Sequence, residues 1–174
     1  QIQVQLPGEK DVQRAKNLIT KTAQMNFHIV AGPDESRPVF EKIRDTFPNE
    51  FIPFVKTTSM RPDVLTVSVE NYERVRRVLV RAEESGVIPQ DKIIAFSQQP
   101  KPYARDQEYH LYVLARKPIA SGEGLTSAAA IQDQSNMPYW QILFSFGASA
   151  AVNFADATGA NIGKPMAIVL DGVV

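Results

Sequence analysis

The chain has 174 residues, 44% of them hydrophobic and 22% charged, which suits one ordinary domain or two small ones and argues against whole-chain disorder. Lys plus Arg number 19 and Asp plus Glu number 19, so no global basic field draws nucleic acid or anionic lipid. With no cysteine, disulfide scaffolds, thiolate zinc sites and cysteine nucleophiles are excluded.

Ile2, Val4 and Leu6 alternate with Gln3 and Gln5 as in a half-buried strand, and Pro7-Gly8 stops it. Asp11 can cap a following helix with Val12, Ala15, Ile19 and Ala23 on one face. Met25, Phe27 and Ile29 alternate with Asn26 and His28, a second strand. Residues 1–30 thus read β-α-β, and a right-handed crossover makes the two strands parallel.

Gly32-Pro33-Asp34 reads as a break, followed by a short helix from about Val39 to Phe47. Pro48, Pro53 and Pro62 make the next stretch irregular. Leu65, Val67 and Val69 alternate as a strand. Asn71 is placed to cap a helix with Val75, Val78, Leu79 and Ala82 inward, and Gly86 stands where a C′ residue belongs. Ile93–Phe96 and Tyr109–Leu114 predict strands flanking an exposed Pro/Gln loop, 97–107.

In the last third, Thr126–Gln132 is compatible with a strand or a short helix. Trp140, Ile142, Phe144 and Phe146 share one face of a strand, and a small-residue helix starts near Gly147. Ala167–Leu170 predicts a short buried strand, and Asp171-Gly172 is a hairpin-turn signal. The apolar ending at Val173-Val174, without the partner strand that turn calls for, suggests a piece of something longer. The start shows no signal-peptide pattern, and the most apolar run, Trp140 to Phe154, is too short and polar for a bilayer span. The architecture expected is α+β, small sheets covered by helices.

Groups that carry chemistry are sparse. His28 and His110 sit in strand patterns and read as ordinary strand histidines. Gly159 to Lys164 superficially resembles a phosphate loop, but Pro165 follows where Ser or Thr belongs. Arg74, Arg77 and Arg81 share a helix side at i, i+3 and i+7. Glu70, Glu73, Glu83 and Glu84 flank them, so a compensated solvated face is the favoured reading, with a patch for an acidic partner as the alternative. Glu123, Asp156 and Asp171 read as cap or turn residues. No catalytic, cofactor or metal residue is predicted.

Two blocks go beyond class-level reading. Val4-Gln5-Leu6-Pro7-Gly8, with Arg14-Ala15-Lys16, Thr22-Ala23 and Phe27, is the first. The second is Gly122-Glu123, Phe154 and the run from Asn161 through Gly163-Lys164-Pro165 to Asp171-Gly172-Val173. In this order they resemble the first periplasmic domain of the SecD and SecDF protein-export family. The resemblance implies ferredoxin-like β-α-β base elements (1–30), an inserted α+β region carrying none of the family's motifs (31–116) and a head-type segment (117–174). It implies an accessory subunit of the Sec translocon, on the periplasmic side of the bacterial inner membrane, assisting proton-gradient-driven late export of preproteins. The implied partners are an unfolded preprotein and, through membrane helices outside this sequence, SecF-type and SecY-type subunits. No enzyme activity, cofactor or nucleic acid is implied.

Leu6, Pro7, Gly8, Gly122, Gly163, Lys164, Pro165, Asp171 and Gly172 are then structural motif residues. Gripping many unfolded chains calls for apolar grooves and sheet edges, and Tyr139, Gln98, Gln99 and Tyr103 are the candidate substrate contacts. Trp140 and Phe144 read as core. A stand-alone α/β domain binding or regulated by a small molecule is the competing reading, and a spacer docking another envelope protein through 31–116 is a third.

Overall fold

The structure, a computed structural model, describes residues 24–57, 63–98, 100, 107–132 and 140–174. The elements in chain order are β1 (Met25–Ile29), α1 (Pro33–Thr46), α2 (Pro48–Phe51), β2 (Lys56–Thr57), β3 (Val64–Ser68) and α3 (Tyr72–Glu84). After these come β4 (Lys92–Phe96), β5 (Glu108–Ala115), β6 (Ala120–Ser121), β7 (Leu125–Gln132), β8 (Trp140–Phe146), α4 (Ala148–Ala160) and β9 (Met166–Leu170). The fold is α+β.

The strands form a three-stranded sheet ordered β6-β1-β9, a four-stranded sheet ordered β2-β3-β5-β4 and the hairpin β7-β8. Every pairing between these strands is antiparallel. β1 is the last strand of the β-α-β unit expected at the start. The rest of that unit lies outside the described residues.

The four-stranded sheet uses both faces. On one, Leu65, Val67, Leu111 and Val113 pack with Val39, Phe40 and Ile43 of α1, Phe51 of α2, and Val75, Val78, Leu79 and Ala82 of α3. Those four α3 residues are the ones the helical spacing predicts. Helix α3 ends in a Schellman motif. Gly86 adopts φ +72, its N–H donates to the Glu83 carbonyl at 3.1 Å, and the Val87 N–H donates to the Ala82 carbonyl at 2.9 Å. On the other face, Ala95 and Leu114 meet Ala167 and Val169 of β9, with Val30 between. Backbone bonds also tie the two sheets: the Ala31 N–H donates to the Val113 carbonyl at 2.8 Å. The buried His28 holds its Nδ1 at 2.8 Å from the Ala115 carbonyl.

Three local expectations need correction. The break between β1 and the helix is shorter than expected: Gly32 is the N-cap and Pro33 the N1 residue of α1, which starts six residues before Val39. Proline is favoured at N1 because its missing N–H has no intrahelical partner there. Asn71 occupies an N-cap position, but its side chain makes no cap bond and donates instead to the Ser68 hydroxyl at 2.8 Å. Strand β9 is only half buried. Ala167 and Val169 face the second sheet, while Met166, Ile168 and Leu170 on the other face are 41%, 43% and 49% exposed. Leu125–Gln132, left open between helix and strand, is a strand.

The Asp171-Gly172 turn has the geometry its sequence calls for, with φ +51 and +83 at its two central residues. Leu170 and Val173 exchange backbone hydrogen bonds at 2.8 and 3.0 Å across it. Val173 and Val174 then join the second sheet. Val173 bridges Phe96 in parallel, and the Gln98 N–H donates to the Val174 carbonyl at 2.9 Å.

Candidate functional site

The candidate site is a groove of about 630 Å³ between the sheet β6-β1-β9 and the hairpin β7-β8. It forms because one residue, Phe27 of β1, anchors the elements above it. Phe27 is 3% exposed, with Phe144 at 6.0 Å, Phe146 at 5.7 Å and Phe154 at 5.6 Å between ring centroids. All three contacts are edge-on, the arrangement that aromatic quadrupoles favour. Phe146 and Phe154 also stack on each other at 5.0 Å. Met25, Leu125, Phe144 and Leu170 supply the apolar lining of the groove, with Asn26 and Glu123 among its polar groups.

Gly122 and Gly124 explain how the wall closes. They bracket Glu123 in a single 3₁₀ turn between β6 and β7. A Cβ on Gly122 would lie 3.3 Å from the Met25 Cβ, and one on Gly124 would lie 2.7 Å from the Ala150 Cβ. The turn therefore approaches α4 at Gly124 more closely than a side chain permits and packs tightly against β1 at Gly122. The Gly147 N–H, at the start of α4, donates to the Gly124 carbonyl at 2.9 Å and fixes that approach.

The motif residues of the last block are scaffold. Gly163 adopts φ +83, and the Lys164 N–H donates to the Asn161 carbonyl at 3.0 Å. The Pro165 carbonyl accepts the Val30 N–H at 2.9 Å. The Asp171 carboxylate accepts the Gln24 N–H at 2.9 Å, and the Gln24 carbonyl accepts the Asp171 N–H at 3.0 Å. This reciprocal pair sets the strand β1 against the turn beside the groove. A hydrogen bond from Lys92 holds the Glu35 carboxyl below the usual carboxylate range, and the charge of the exposed Lys164 adds a smaller contribution in the same direction. That bond also raises the Lys92 ammonium above its ordinary value.

Of the four predicted contacts, Gln98 is exposed and paired through its backbone to Val174, away from the groove lining. Gln99, Tyr103 and Tyr139 lie outside the described residues, as do Leu6, Pro7 and Gly8. Phe144, read as core, is partly buried: it touches Phe27 and also lines the groove. Leu125, Met25 and Leu170 were missed as site residues. Their apolar alternation predicts strands but not which strands converge. Among the described residues no group of three His, Asp or Glu side chains is arranged to hold a metal ion, and no helix is long and apolar enough to cross a membrane.

Comparison with known proteins places these features. The family model described as SecDF, P1 head subdomain, matches residues 96–174, and that described as Protein translocase subunit SecDF, P1 domain, N-terminal, matches residues 1–32. Between them they cover well over half of the chain. A "Protein translocase subunit SecD" of Rickettsia bellii is 27% identical over 98% of this chain and 22% of its own length. Those of Endomicrobium trichonymphae and Rhodobacter capsulatus are 30% and 28% identical over 99% of this chain, covering 30% and 21% of their own lengths. These alignments run through residues 31–116 as well, so the middle region has a counterpart in the relatives. The chain spans between about a fifth and a third of the length of these relatives. No solved structure matches it. The chain belongs to the SecD/SecDF family of protein translocase subunits and corresponds to its P1 domain.

Proposed function

We propose that this domain serves the Sec translocon as an extracytoplasmic accessory part, making transient contact with the preprotein while the whole subunit assists late, proton-gradient-driven export. In this reading it lies on the periplasmic side of the bacterial inner membrane. The membrane-embedded parts of the full-length protein connect it to SecF-type and SecY-type subunits. Its role is binding rather than catalysis, and it needs no cofactor and no nucleic acid.

The observation that carries the reading is the groove under the hairpin β7-β8. Its lining is largely apolar, and the outer edges of β7 and β8 carry no strand partner among the described residues. An extended chain can add backbone hydrogen bonds along such an edge whatever its sequence, while apolar side chains enter the groove. Loose, sequence-tolerant contact of this kind suits a part that must release each substrate.

The test is fluorescence anisotropy of a labelled, unfolded preprotein segment titrated with the 174-residue chain, with a folded protein as control. Selective binding of the unfolded segment, weakened by Leu125→Ser or Leu170→Ser, is the expected result. Equal binding of the folded control would refute the reading. Parallel substitutions at Tyr139, Gln98, Gln99 and Tyr103 show whether the contact extends to those positions.

A further inference from the structure

A second cleft lies in the part of the chain that neither family match covers. It has a volume of about 320 Å³, sits between α2 and α3, and is lined by Asn49, Glu50, Phe54, Arg74, Arg77 and Arg81. The three arginines fall at i, i+3 and i+7 of α3 and so share one side of it. Their partners differ. Arg81 donates from Nη1 to Glu50 Oε2 at 2.7 Å, and its guanidinium sits 4.9 Å above the Phe47 ring. The Arg74 guanidinium sits 4.4 Å above the Phe54 ring. Arg77 donates from Nε to the Glu73 carbonyl at 3.3 Å. Among the described residues, Arg81 has a carboxylate partner and Arg74 and Arg77 have none. Of the flanking glutamates, Glu73 pairs with Arg76 at 3.6 Å and Glu83 with Arg116 at 2.7 Å, and neither Glu70 nor Glu84 lines the cleft.

The cleft therefore holds one carboxylate against three guanidiniums. Stacking on a ring orients the plane of the Arg74 guanidinium before any partner arrives, which reduces the entropy lost on binding. The Glu50–Arg81 pair shows that the walls accept a carboxylate in hydrogen-bonding geometry.

We propose that this cleft docks an acidic segment of a partner protein, its Asp or Glu carboxylates reaching Arg74 and Arg77 beside the Glu50–Arg81 pair. Charge complementarity selects an acidic ligand. Concavity and the Glu50 carboxylate in the wall select discrete carboxylates with directional bonds over a flat, densely anionic lipid surface. The proposal is independent of the groove under the hairpin and gives the middle region a contact of its own.

The experiment uses the 174-residue chain and a fluorescein-labelled hexaglutamate peptide flanked by glycines, followed by anisotropy at low ionic strength. Binding is expected, and it should weaken about tenfold or more in the double variant R74Q/R77Q, because charge-assisted hydrogen bonds are lost. It should weaken also with added salt, and stay within about twofold in R76Q, whose side chain lies outside the cleft. Circular dichroism checks that the double variant is folded; should it unfold, R77Q alone, which leaves the ring contacts intact, carries the test. Absence of binding up to about 1 mM peptide, or binding unchanged by R74Q/R77Q, overturns the proposal. So does the opposite preference: phosphatidylglycerol-containing vesicles bound through Arg74 and Arg77 while the peptide is not.

Discussion

Between Ala31 and Val113 the chain closes a core of its own, in which Phe51, Ile43, Val75 and Leu111 have no exposed surface. The head is built differently. Helix α4 buries no residue, Leu143 and Val152 are largely exposed, and Phe27 of the neighbouring sheet is the ring on which Phe144, Phe146 and Phe154 converge. The middle is held by many mutually buried side chains, whereas within the head β9 is tied down by Ala167 and Val169, and α4 and the hairpin β7-β8 meet the sheet at one aromatic joint. Regions with few buried apolar contacts open locally at low free-energy cost.

The comparison breaks most visibly in the middle. Phe51→Ala leaves a cavity in the larger core and should cost about 3–5 kcal/mol, read as a lower midpoint of denaturant unfolding. Phe27→Ala should cost somewhat less, about 3 kcal/mol, and its signature is spatial. By hydrogen exchange, amides of α4 and β8 should lose protection while those of β5 and α3 keep theirs. Equal loss in both regions would mean that the head is as tightly integrated as the middle. Gly124→Ala drives a Cβ against Ala150 and should cost about 1–3 kcal/mol, again with its effect confined to the head.

The smallest effect expected is electrostatic and lies in the middle. Glu35 and Lys92 join α1 to β4 through a side-chain hydrogen bond, with Asp91 3.5 Å from the same ammonium. Because the Glu35 pKa is lowered in the folded state, its contribution is present above the unfolded value, about 4.3, and is lost as pH falls through the folded value. Because the Lys92 pKa is raised, its contribution is present below about 10.4 and is lost as pH rises through the folded value. Glu35 is about half exposed, so solvent screening limits the pair to about 0.2–1 kcal/mol. Glu35→Gln should remove the acid-side loss without changing protection in the head.

Local periodicity carried much of the fold. The spacing of Val75, Val78, Leu79 and Ala82 with Gly86 gives α3 and its cap, and Asp171-Gly172 gives the turn after β9. Where one residue type serves opposite ends of a helix, the sequence is ambiguous: Gly32-Pro33 can stop a chain or start α1. In β9 an unbroken apolar run hides an alternation that the second sheet imposes, burying Ala167 and Val169 alone. The groove was the least legible feature. Its residues come from β1, the turn after β6, β7, β8 and β9, and the contact of Phe27 with Phe144 and Phe146 spans well over a hundred residues. No pattern within one segment encodes such a meeting. The family blocks contain Gly122, Glu123 and Leu170 of the lining and the supporting Asp171, but as motif residues they carry no sign that they meet in a groove.

The most direct test is site-specific photocrosslinking in cells whose full-length protein carries a photoreactive phenylalanine analogue at Leu125 or Phe144, with Val80, exposed on the outer side of α3, as the reference position. During a stalled export reaction, the groove positions should crosslink to the translocating chain well above Val80. Equal yields from all three positions, or no adduct from the groove while the stalled chain is present, would contradict a role for the groove in handling preproteins.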